Sequence, residues 1–320
     1  MSILNQGVST MKKVLTVCWS AAAAVLVAGE SIIPDVTNKL WTSPLEKKVL
    51  EKSVEIGPRT GHDYSAIGFR FETGVKDVYE MTCLISAKNA PAKEDHFRWQ
   101  INGMPYATDE VSLPAKPEKY RTFIFNNDLG GQKWLTLFYK YKSGGTANAM
   151  VVSDFKLMKV DVKNLKSVTL NEPCAWQTPD WSKFAVLSSE PVTDFIEEGD
   201  AITLSVGDDV KAGAVAWILS SFFPFDPDSE YEISAWIKTD VPGNVSLGVN
   251  SWMDNRYKHY WTMTGFQVTT EWKLYKTTIK TPSVAEQPVF ELARTRGAVC
   301  MRVGDGAKKV YIRNWTATKK

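Results

Sequence analysis

The residues best suited to chemistry lie in one short stretch, SWMDNRYKHYWTM, which runs from Ser251 to Met263. It places two Trp, two Tyr, one Arg and one His within thirteen residues. Aromatic planes pack against the C–H faces of pyranose rings, and Arg, His and Asn hydrogen-bond to sugar hydroxyls. The stretch holds too many rings for a solvated loop and too many charges for a core strand, so it predicts a binding surface.

The strands before this stretch are expected to extend the same surface. Successive side chains along a strand point to opposite faces. Ser246, Gly248, Asn250 and Trp252 therefore share one face, and Trp236 projects from the preceding strand, where its outward neighbours are polar. The small residues predict a shallow trough that ends at Asn250 and Trp252.

The next strand is predicted to run back from Tyr257 to Met263 after a turn at MDNR. Tyr257, His259 and Trp261 lie on one of its faces and Tyr260 on the other, and the sequence leaves open which set faces the trough. For any single ring, core packing remains an alternative to ligand contact. The predicted ligand-binding residues are Trp236, Asn250, Trp252, Arg256, Tyr257, His259, Tyr260 and Trp261.

Catalytic and metal motifs are weak in this sequence, so we expect a non-catalytic protein. Its three His residues are far apart and predict no zinc site, and phosphate-binding glycine loops are missing. A polysaccharide lyase stays an alternative, because Arg256, Tyr257 and His259 are types suited to proton abstraction. A glycoside hydrolase is another, and the carboxylates to test for it are Glu72, Glu80, Glu232 and Glu291.

Short alternating runs rich in β-branched and aromatic residues dominate the chain and predict strands. Segment 45–56 is compatible with a helical turn or with a strand. Three segments of the first half recur in order in the second: VYEMTCLISAK as EYEISAWIKTD, EKYRTFIF as KLYKTTIK, and VVSDFKLMKV as VYIRNWTATK. We therefore predict an all-β protein with two tandem β-sandwich (jelly-roll) domains, at 31–161 and 166–320.

Residues 1–30 have the pattern of a secretory signal peptide, with residues before Met11 as an upstream extension. Lys12 and Lys13 precede an apolar run from Val14 to Ala28. The run is shorter than the roughly 20 residues that cross a bilayer, so no permanent membrane anchor is expected. We predict a secreted, periplasmic or cell-surface protein.

Charge and cysteine content limit the partners and the cross-links. The 38 basic and 36 acidic residues give a net charge of +2, too small a field to attract nucleic acid.

Loss of the signal region would leave Cys83, Cys174 and Cys300, enough for one disulfide. Cys83 lies in an apolar run and should be buried, whereas a disulfide, if one forms, should join Cys174 to Cys300.

The second half resembles the carbohydrate-binding modules of the family 4/9/22 group, which are appended to bacterial cellulases and xylanases. The resemblance covers about 174–320 and rests on FPFDPDSEYEISAWIKT, NVSLGVNSW, TTEWKLYKTTIKTP and KKVYIRNWTAT, in this order. The first half, about 32–159, matches less well, with Pro117-Glu118-Lys119 in place of Thr270-Glu271-Trp272. The resemblance implies a jelly roll that binds a polysaccharide or oligosaccharide without catalysis. A structural or adhesive surface protein remains an alternative use of the fold.

The resemblance also bears on a metal and on the first half. Such modules usually carry an acidic residue on the closing strand that helps to hold a structural calcium. Asp154 has this place in the first half and Asn314 in the second, and no other cofactor is expected.

Polar residues that alternate with Phe97, Trp99 and Ile101 form either a solvated face or a sugar-binding face without an aromatic platform. They are His96, Arg98, Gln100 and Asn102.

Overall fold

Alternating apolar and polar residues give the chain antiparallel sheets throughout the part that the structure describes. The computed structural model describes residues 40–42, 47–49, 53–59, 61–74, 77–101, 111–125, 131–142, 148–170, 178, 182, 184–197, 199–251, 260–283, 295–304 and 306–320. The predicted signal region therefore lies outside the described residues, as does Cys174.

The described residues form twenty strands and one short 3-10 turn, Val162–Asn164. The strands of the first half are β1 (Leu40–Thr42), β2 (Lys47–Val49), β3 (Ser53–Ile56), β4 (Tyr64–Thr73), β5 (Val78–Ala87), β6 (His96–Ile101), β7 (Val111–Ser112), β8 (Glu118–Phe125), β9 (Gly131–Lys140) and β10 (Met150–Val160). Those of the second half are β11 (Ser167–Thr169), β12 (Ala185–Pro191), β13 (Asp200–Val206), β14 (Val215–Phe223), β15 (Glu230–Thr239), β16 (Gly243–Ser251), β17 (Tyr260–Val268), β18 (Lys273–Lys280), β19 (Thr295–Arg302) and β20 (Lys309–Lys319).

Four sheets with a repeated strand order arise from these strands. Sheet A has the order β1-β4-β9-β6-β7, and sheet B has the order β2-β3-β10-β5-β8. In the second half, sheet C has the order β12-β13-β20-β15-β18, with β11 added beside β20, and sheet D has the order β14-β19-β16-β17. Sheet A without β1 thus corresponds to sheet D, and sheet B to sheet C without β11, strand by strand in chain order.

Aromatic side chains join sheets A and B into the first sandwich. Phe69 of β4 stacks on Phe155 of β10 with 4.7 Å between ring centroids, and Trp99 of β6 lies 5.4 Å from the same ring. Phe97 of β6 meets Tyr120 of β8 edge-on at 4.9 Å. All five side chains are buried. Such ring pairs contribute about 0.5–1.5 kcal/mol each beyond their burial.

The second sandwich is organised around Trp315 of β20, which is fully buried between sheets C and D. Gly297 of β19 leaves the space that this ring occupies. A Cβ at Gly297 would lie 2.5 Å from Trp315 Cζ2 and 2.7 Å from Leu170 Cδ1. Phe266 of β17 and Tyr275 of β18 pack across the same two sheets, at 5.2 Å.

The segments that recur in the sequence occupy equivalent strands of the two sandwiches. Tyr79 lies near the start of β5 and Tyr231 near the start of β15, and both side chains are buried. Phe155 and Trp315 follow the register shifts of β10 and β20. The predicted tandem of two all-β sandwiches is therefore confirmed, while the boundaries 31–161 and 166–320 stay a prediction.

Asp154 and Asn314, the residues considered for calcium, share an unusual backbone conformation. Their φ angles are 47° and 46°, and each lies at a β-bulge where the register with the neighbouring strand shifts. Among residues other than glycine, Asp and Asn adopt left-handed φ values most readily. The left-handed backbone at the bulge therefore suits both the Asp of one sandwich and the Asn of the other.

The described residues of segment 45–56, which are 47–49 and 53–56, form strands β2 and β3 and so favour the strand interpretation. β3 pairs with β10 on one side and with β2 on the other. Val54 and Ile56 point into the core and are fully buried. Their branched Cβ atoms favour the strand over the helix.

Candidate functional site

The predicted trough lies on the outward face of sheet D, called the D face below. Val245, Leu247 and Val249 of β16 enter the core, so the alternate residues of this strand point outward. The strand register then fixes which residues share the face. They are Val215, Trp217 and Leu219 of β14, Arg296, Ala298, Cys300 and Arg302 of β19, Asn244, Ser246, Gly248 and Asn250 of β16, and positions 261, 263, 265 and 267 of β17.

Small residues keep the middle of the D face low. Gly248 is required there, because a Cβ would lie 1.9 Å from the carbonyl oxygen of Thr262 on the neighbouring β17. Ser246 pairs with Gly265, and a Cβ on Gly265 would meet Ser246 Oγ at an ordinary contact distance of 3.7 Å. Gly248 therefore allows β16 and β17 to approach closely, and the shallow trough expected at Ser246 and Gly248 stays a prediction.

The D face has an apolar floor and a polar end. Trp217, Leu219 and Ala298 form a small buried cluster separate from the main core, and Trp217 is 8 % exposed. Asn250 of β16 pairs directly with Arg296 of β19, and both side chains are buried. An amide and a guanidinium beside an apolar floor can direct hydrogen bonds to a ligand that lies flat on the face.

The register of β17 decides the question that the sequence left open. Trp261 is the partner of Asn250, and Tyr260 is the partner of Ser251. Directly opposed residues in an antiparallel pair lie on the same face of the sheet. Position 261 therefore belongs to the D face and position 260 to the other face. The remaining predicted residues of the hairpin, Trp252, Arg256, Tyr257 and His259, lie outside the described residues.

Trp236 does not belong to the D face, so its grouping with Asn250 was wrong. Consecutive strands β15 and β16 belong to different sheets, and their outward residues point away from each other. Trp236 is half-buried on the outside of sheet C, where Phe195 meets it edge-on at 5.4 Å. Arg313 covers Phe195, with its Cζ 4.4 Å from the ring centroid. Trp236 thus packs against its own sandwich.

Charged groups complete this cluster on sheet C. Asp194 accepts hydrogen bonds from Lys238 and, at 3.0 Å, from Trp272 Nε1. The hydrogen bond from Lys238 and then that from Trp272 hold the pKa of Asp194 below its usual value. Phe195 also meets Trp272 at 5.0 Å. The segment around Phe195 is therefore fixed to sheet C by rings and by charge.

Cys300 on the D face is a free thiol, and Cys174, its partner in any disulfide considered from the sequence, lies outside the described residues. Burial raises the pKa of this thiol to about 11, against a smaller opposing effect of its hydrogen bond with Ser246. Its strand partner on β16 is likewise Ser246. Cys83 is free and buried, as predicted, and burial raises its pKa as well.

The equivalent outward face of sheet A, the A face, is more open. Ile67, Phe69 and Leu137 point inward, so their neighbours along β4 and β9 point outward. The described residues of this face are Tyr64, Ala66, Gly68, Arg70 and Glu72 of β4, Gln132, Trp134, Thr136, Phe138 and Lys140 of β9, and His96, Arg98 and Gln100 of β6. Tyr64 is 51 % exposed.

Two rings of the A face stack with guanidinium groups. Arg70 Cζ lies 5.9 Å from the ring centroid of Trp134, and Arg98 Cζ lies 5.1 Å from that of Phe138. Tyr64 adds a third ring, 6.2 Å from Phe138. A lower row made by Gly68, Thr136 and Gln100 crosses the strands between the Arg70–Trp134 pair and the Arg98–Phe138 pair. Trp41 of β1 holds the register position beside Gly68.

The sequence anticipated the polar set on β6 but not the rings beside it. Arg98 and Gln100 were considered for a solvated face or for a sugar-binding face without an aromatic platform, and β9 places Phe138 opposite Arg98 and Trp134 on the same face. The signal was the alternation in GQKWLTLFYK, where Trp134, Thr136 and Phe138 fall on one face. Asn102 lies outside the described residues.

The carboxylates considered for glycoside hydrolysis are separated. Glu72 is on the A face, whereas Glu80 is on the outside of sheet B and forms an ion pair with Arg121. Glu232 forms an ion pair with Lys276 at 2.8 Å, and Glu291 lies outside the described residues. Glu72 and Glu80 therefore lie on opposite faces of one sandwich.

The described residues contain neither a metal-binding cluster nor a membrane-spanning helix. No group of three or more His, Cys, Asp or Glu side chains in this part of the chain is arranged to hold a metal ion. Asp154 is exposed on its bulge, so the described residues do not form a calcium cage around it. Within the same ranges, no helix has the length and apolarity needed to cross a membrane.

Residues 208–295 match the family model CBM_4_9, a carbohydrate binding domain. The resemblance seen in the sequence is confirmed. The matched range of this CBM_4_9-like half holds the residues of the D face from β14, β16 and β17, and the A face lies outside it. No curated protein matches the sequence.

Similar solved structures include carbohydrate-binding modules. The CBM22-1-CBM22-2 tandem domain of Paenibacillus barcinonensis Xyn10C is 12 % identical, with a TM-score of 0.36 over 91 % of this chain and 96 % of that one. A CBM4 structure is 15 % identical, with a TM-score of 0.32 over 47 % and 90 %. The CBM22-1 xylan-binding domain of Xyn10C is 10 % identical, with a TM-score of 0.33 over 48 % and 92 %.

Proposed function

We propose that this chain is an exported, non-catalytic protein that binds a polysaccharide or oligosaccharide on its D face. The match of residues 208–295 to a carbohydrate binding domain supports this proposal. The observation that carries it is the register of β16 and β17, in which Trp261 is the strand partner of Asn250 and small residues, Ser246, Gly248 and Gly265, share the same face. An aromatic residue and an amide thus lie side by side on the outward face of sheet D.

The arrangement suits the chemistry of a neutral sugar. A ring at position 261 can pack on the C–H face of a pyranose, and Asn250 and Arg296 can hydrogen-bond to its hydroxyls. Stacking of this kind contributes about 1–3 kcal/mol per ring, by analogy with base stacking on aromatic side chains.

The carboxylates support binding without turnover. A glycosidase needs two carboxyl groups about 5–9.5 Å apart on either side of the scissile bond. Glu80 and Glu232 are held by Arg121 and Lys276, and Glu72 points away from Glu80. Export rests on Lys12-Lys13 and the apolar run that follows them.

A glycan array and a pull-down on insoluble polysaccharides test the proposal with the full chain. Bound material is assayed for released sugars and for ultraviolet absorbance, because a lyase leaves unsaturated products. We expect retention on at least one neutral polysaccharide without product release. Unsaturated products would instead identify a lyase, and new reducing ends a glycoside hydrolase. Retention on none of the glycans would leave the adhesive or structural role.

A further inference from the structure

The A face differs from the D face in exposure and in the placement of its charges, although the two hold equivalent places in their sheets. Among its described residues, the A face carries Arg70, Arg98 and Lys140 against one acidic residue, Glu72, and its two guanidinium groups lie over aromatic rings. The D face carries Arg296 and Arg302 towards opposite ends of β19, with a buried apolar cluster between them. Equivalent faces of the two sandwiches therefore suit different ligands.

The guanidinium groups of the A face are placed for a flat, charged ligand. Arg70 is exposed and stacks over Trp134, and Arg98 stacks over Phe138. A stacked guanidinium uses its planar surface for the ring, and its N–H groups point along its edge. Those N–H groups form a fork that matches a carboxylate with two parallel hydrogen bonds.

The spacing of the two stacked pairs suits a chain of sugars. Trp134 and Phe138 are four residues apart on β9, which is about 13 Å at 3.3 Å per residue. The lower row of Gly68, Thr136 and Gln100 crosses three strands between them. A ligand lying along this row would have a ring and a guanidinium on each side.

We propose that the A face is a second glycan site, which binds an acidic polysaccharide through carboxylates held by Arg70 and Arg98 and sugar rings packed on Trp134 and Phe138. A uronate polymer has this chemistry, because each residue offers one carboxylate and one C–H face. Charge complementarity selects this occupant over a neutral glycan. The proposal does not depend on the D face, since none of its residues lies between 208 and 295.

Calorimetric titration of the full chain with polygalacturonate tests the proposal. Methyl-esterified polygalacturonate has the same backbone without the charge, so it is the matched ligand. We expect the ester to bind at least about 10-fold more weakly, because it loses the charge-assisted hydrogen bonds. Binding of the acid should also weaken as salt is raised. Equal binding of acid and ester would overturn the proposal.

Variants locate the site and separate it from the D face. Arg70→Gln and Trp134→Ala should each weaken polygalacturonate binding about 10-fold. Lys156→Gln removes the same charge from the exposed side of sheet B and should change it less than about 2-fold. Trp261→Ala should leave it unchanged, even where it abolishes binding of a neutral glycan. Circular dichroism of each variant verifies the fold.

Dextran sulfate, with dextran as its neutral control, distinguishes a carboxylate site from general attraction of polyanions. We expect polygalacturonate to bind more tightly than dextran sulfate at equal salt, because sulfate lacks the planar geometry of a carboxylate. Equal binding of the two polymers would overturn the proposal, as would an Arg70→Gln variant with unchanged affinity.

Discussion

Cys300 packs on the D face as a free thiol. Its side chain packs with the Trp217 cluster on the outside of sheet D, and Ser246 is its strand partner. Desolvation disfavours the thiolate, which explains a pKa of about 11. A neutral thiol on an apolar floor behaves as a small hydrophobic side chain.

We predict that the Cys300 thiol is free and slow to react in the folded protein. Alkylation without reductant should label it fully in denaturant and slowly at pH 8 in the native state, because the thiolate is scarce below a pKa of about 11. The unfolded chain loses this proton near pH 9, so stability should fall between pH 9 and about 11. Peptide mapping that recovers Cys300 linked to Cys174 would contradict this assignment.

At the scale of elements, the two sandwiches repeat a diagonal ion pair between equivalent strands. Glu80 of β5 pairs with Arg121 of β8, and Glu232 of β15 pairs with Lys276 of β18. In each pair the cation lies two residues along its strand from the direct partner of the glutamate. Their surroundings differ. The Glu80 and Arg121 side chains are 5 % and 11 % exposed, whereas those of Glu232 and Lys276 are 29 % and 50 % exposed.

Truncating the cation should therefore affect the two sandwiches differently. Arg121→Ala leaves a buried carboxylate without its partner and should lower the free energy of unfolding by about 3–5 kcal/mol. Lys276→Ala breaks an exposed pair and should cost less than about 1 kcal/mol. Urea denaturation monitored by Trp fluorescence measures both. Similar losses for the two variants would show that burial does not set the energy of this pair.

The alternation of residues predicted which side chains share a face of one strand. It did not predict which strands pair with each other. The sequence placed Ser246, Gly248 and Asn250 on one face correctly, because this depends on the period of two along β16. It grouped Trp236 with them, because nothing local shows that β15 and β16 join different sheets. It missed Phe138 opposite Arg98, and Trp134 on the same face, for the same reason, since β9 pairs with β6 from a distant part of the chain.

At the scale of the whole molecule, three collinear segment pairs predicted that one domain is repeated. They did not predict the chemical difference between the A and D faces, because each face combines residues from three or four strands. The edge strands β8 and β14 lie next to each other and provide contact between the two halves. Two similar sandwiches can thus offer two different surfaces within one chain.

We predict that residues 166–320 fold alone. The fragment keeps β11, which pairs with β20, and the whole core around Trp315. Loss of the contact with β8 should lower its stability relative to the full chain without preventing folding. Circular dichroism, hydrogen exchange and urea denaturation of the fragment measure this. A fragment that is unfolded while the full chain is folded would contradict the division into two domains.

The most direct test of the central claim is a calorimetric titration of the neutral polysaccharide found on the array, with wild type, Trp261→Ala and Trp236→Ala. Trp261→Ala should weaken binding by about 1–3 kcal/mol and leave the unfolding midpoint unchanged, because position 261 is on the D face. Trp236→Ala should keep its affinity and lose about 1–3 kcal/mol of stability, because its ring packs on Phe195. Unchanged affinity in Trp261→Ala, or a loss of binding that follows unfolding, would contradict glycan binding at the D face.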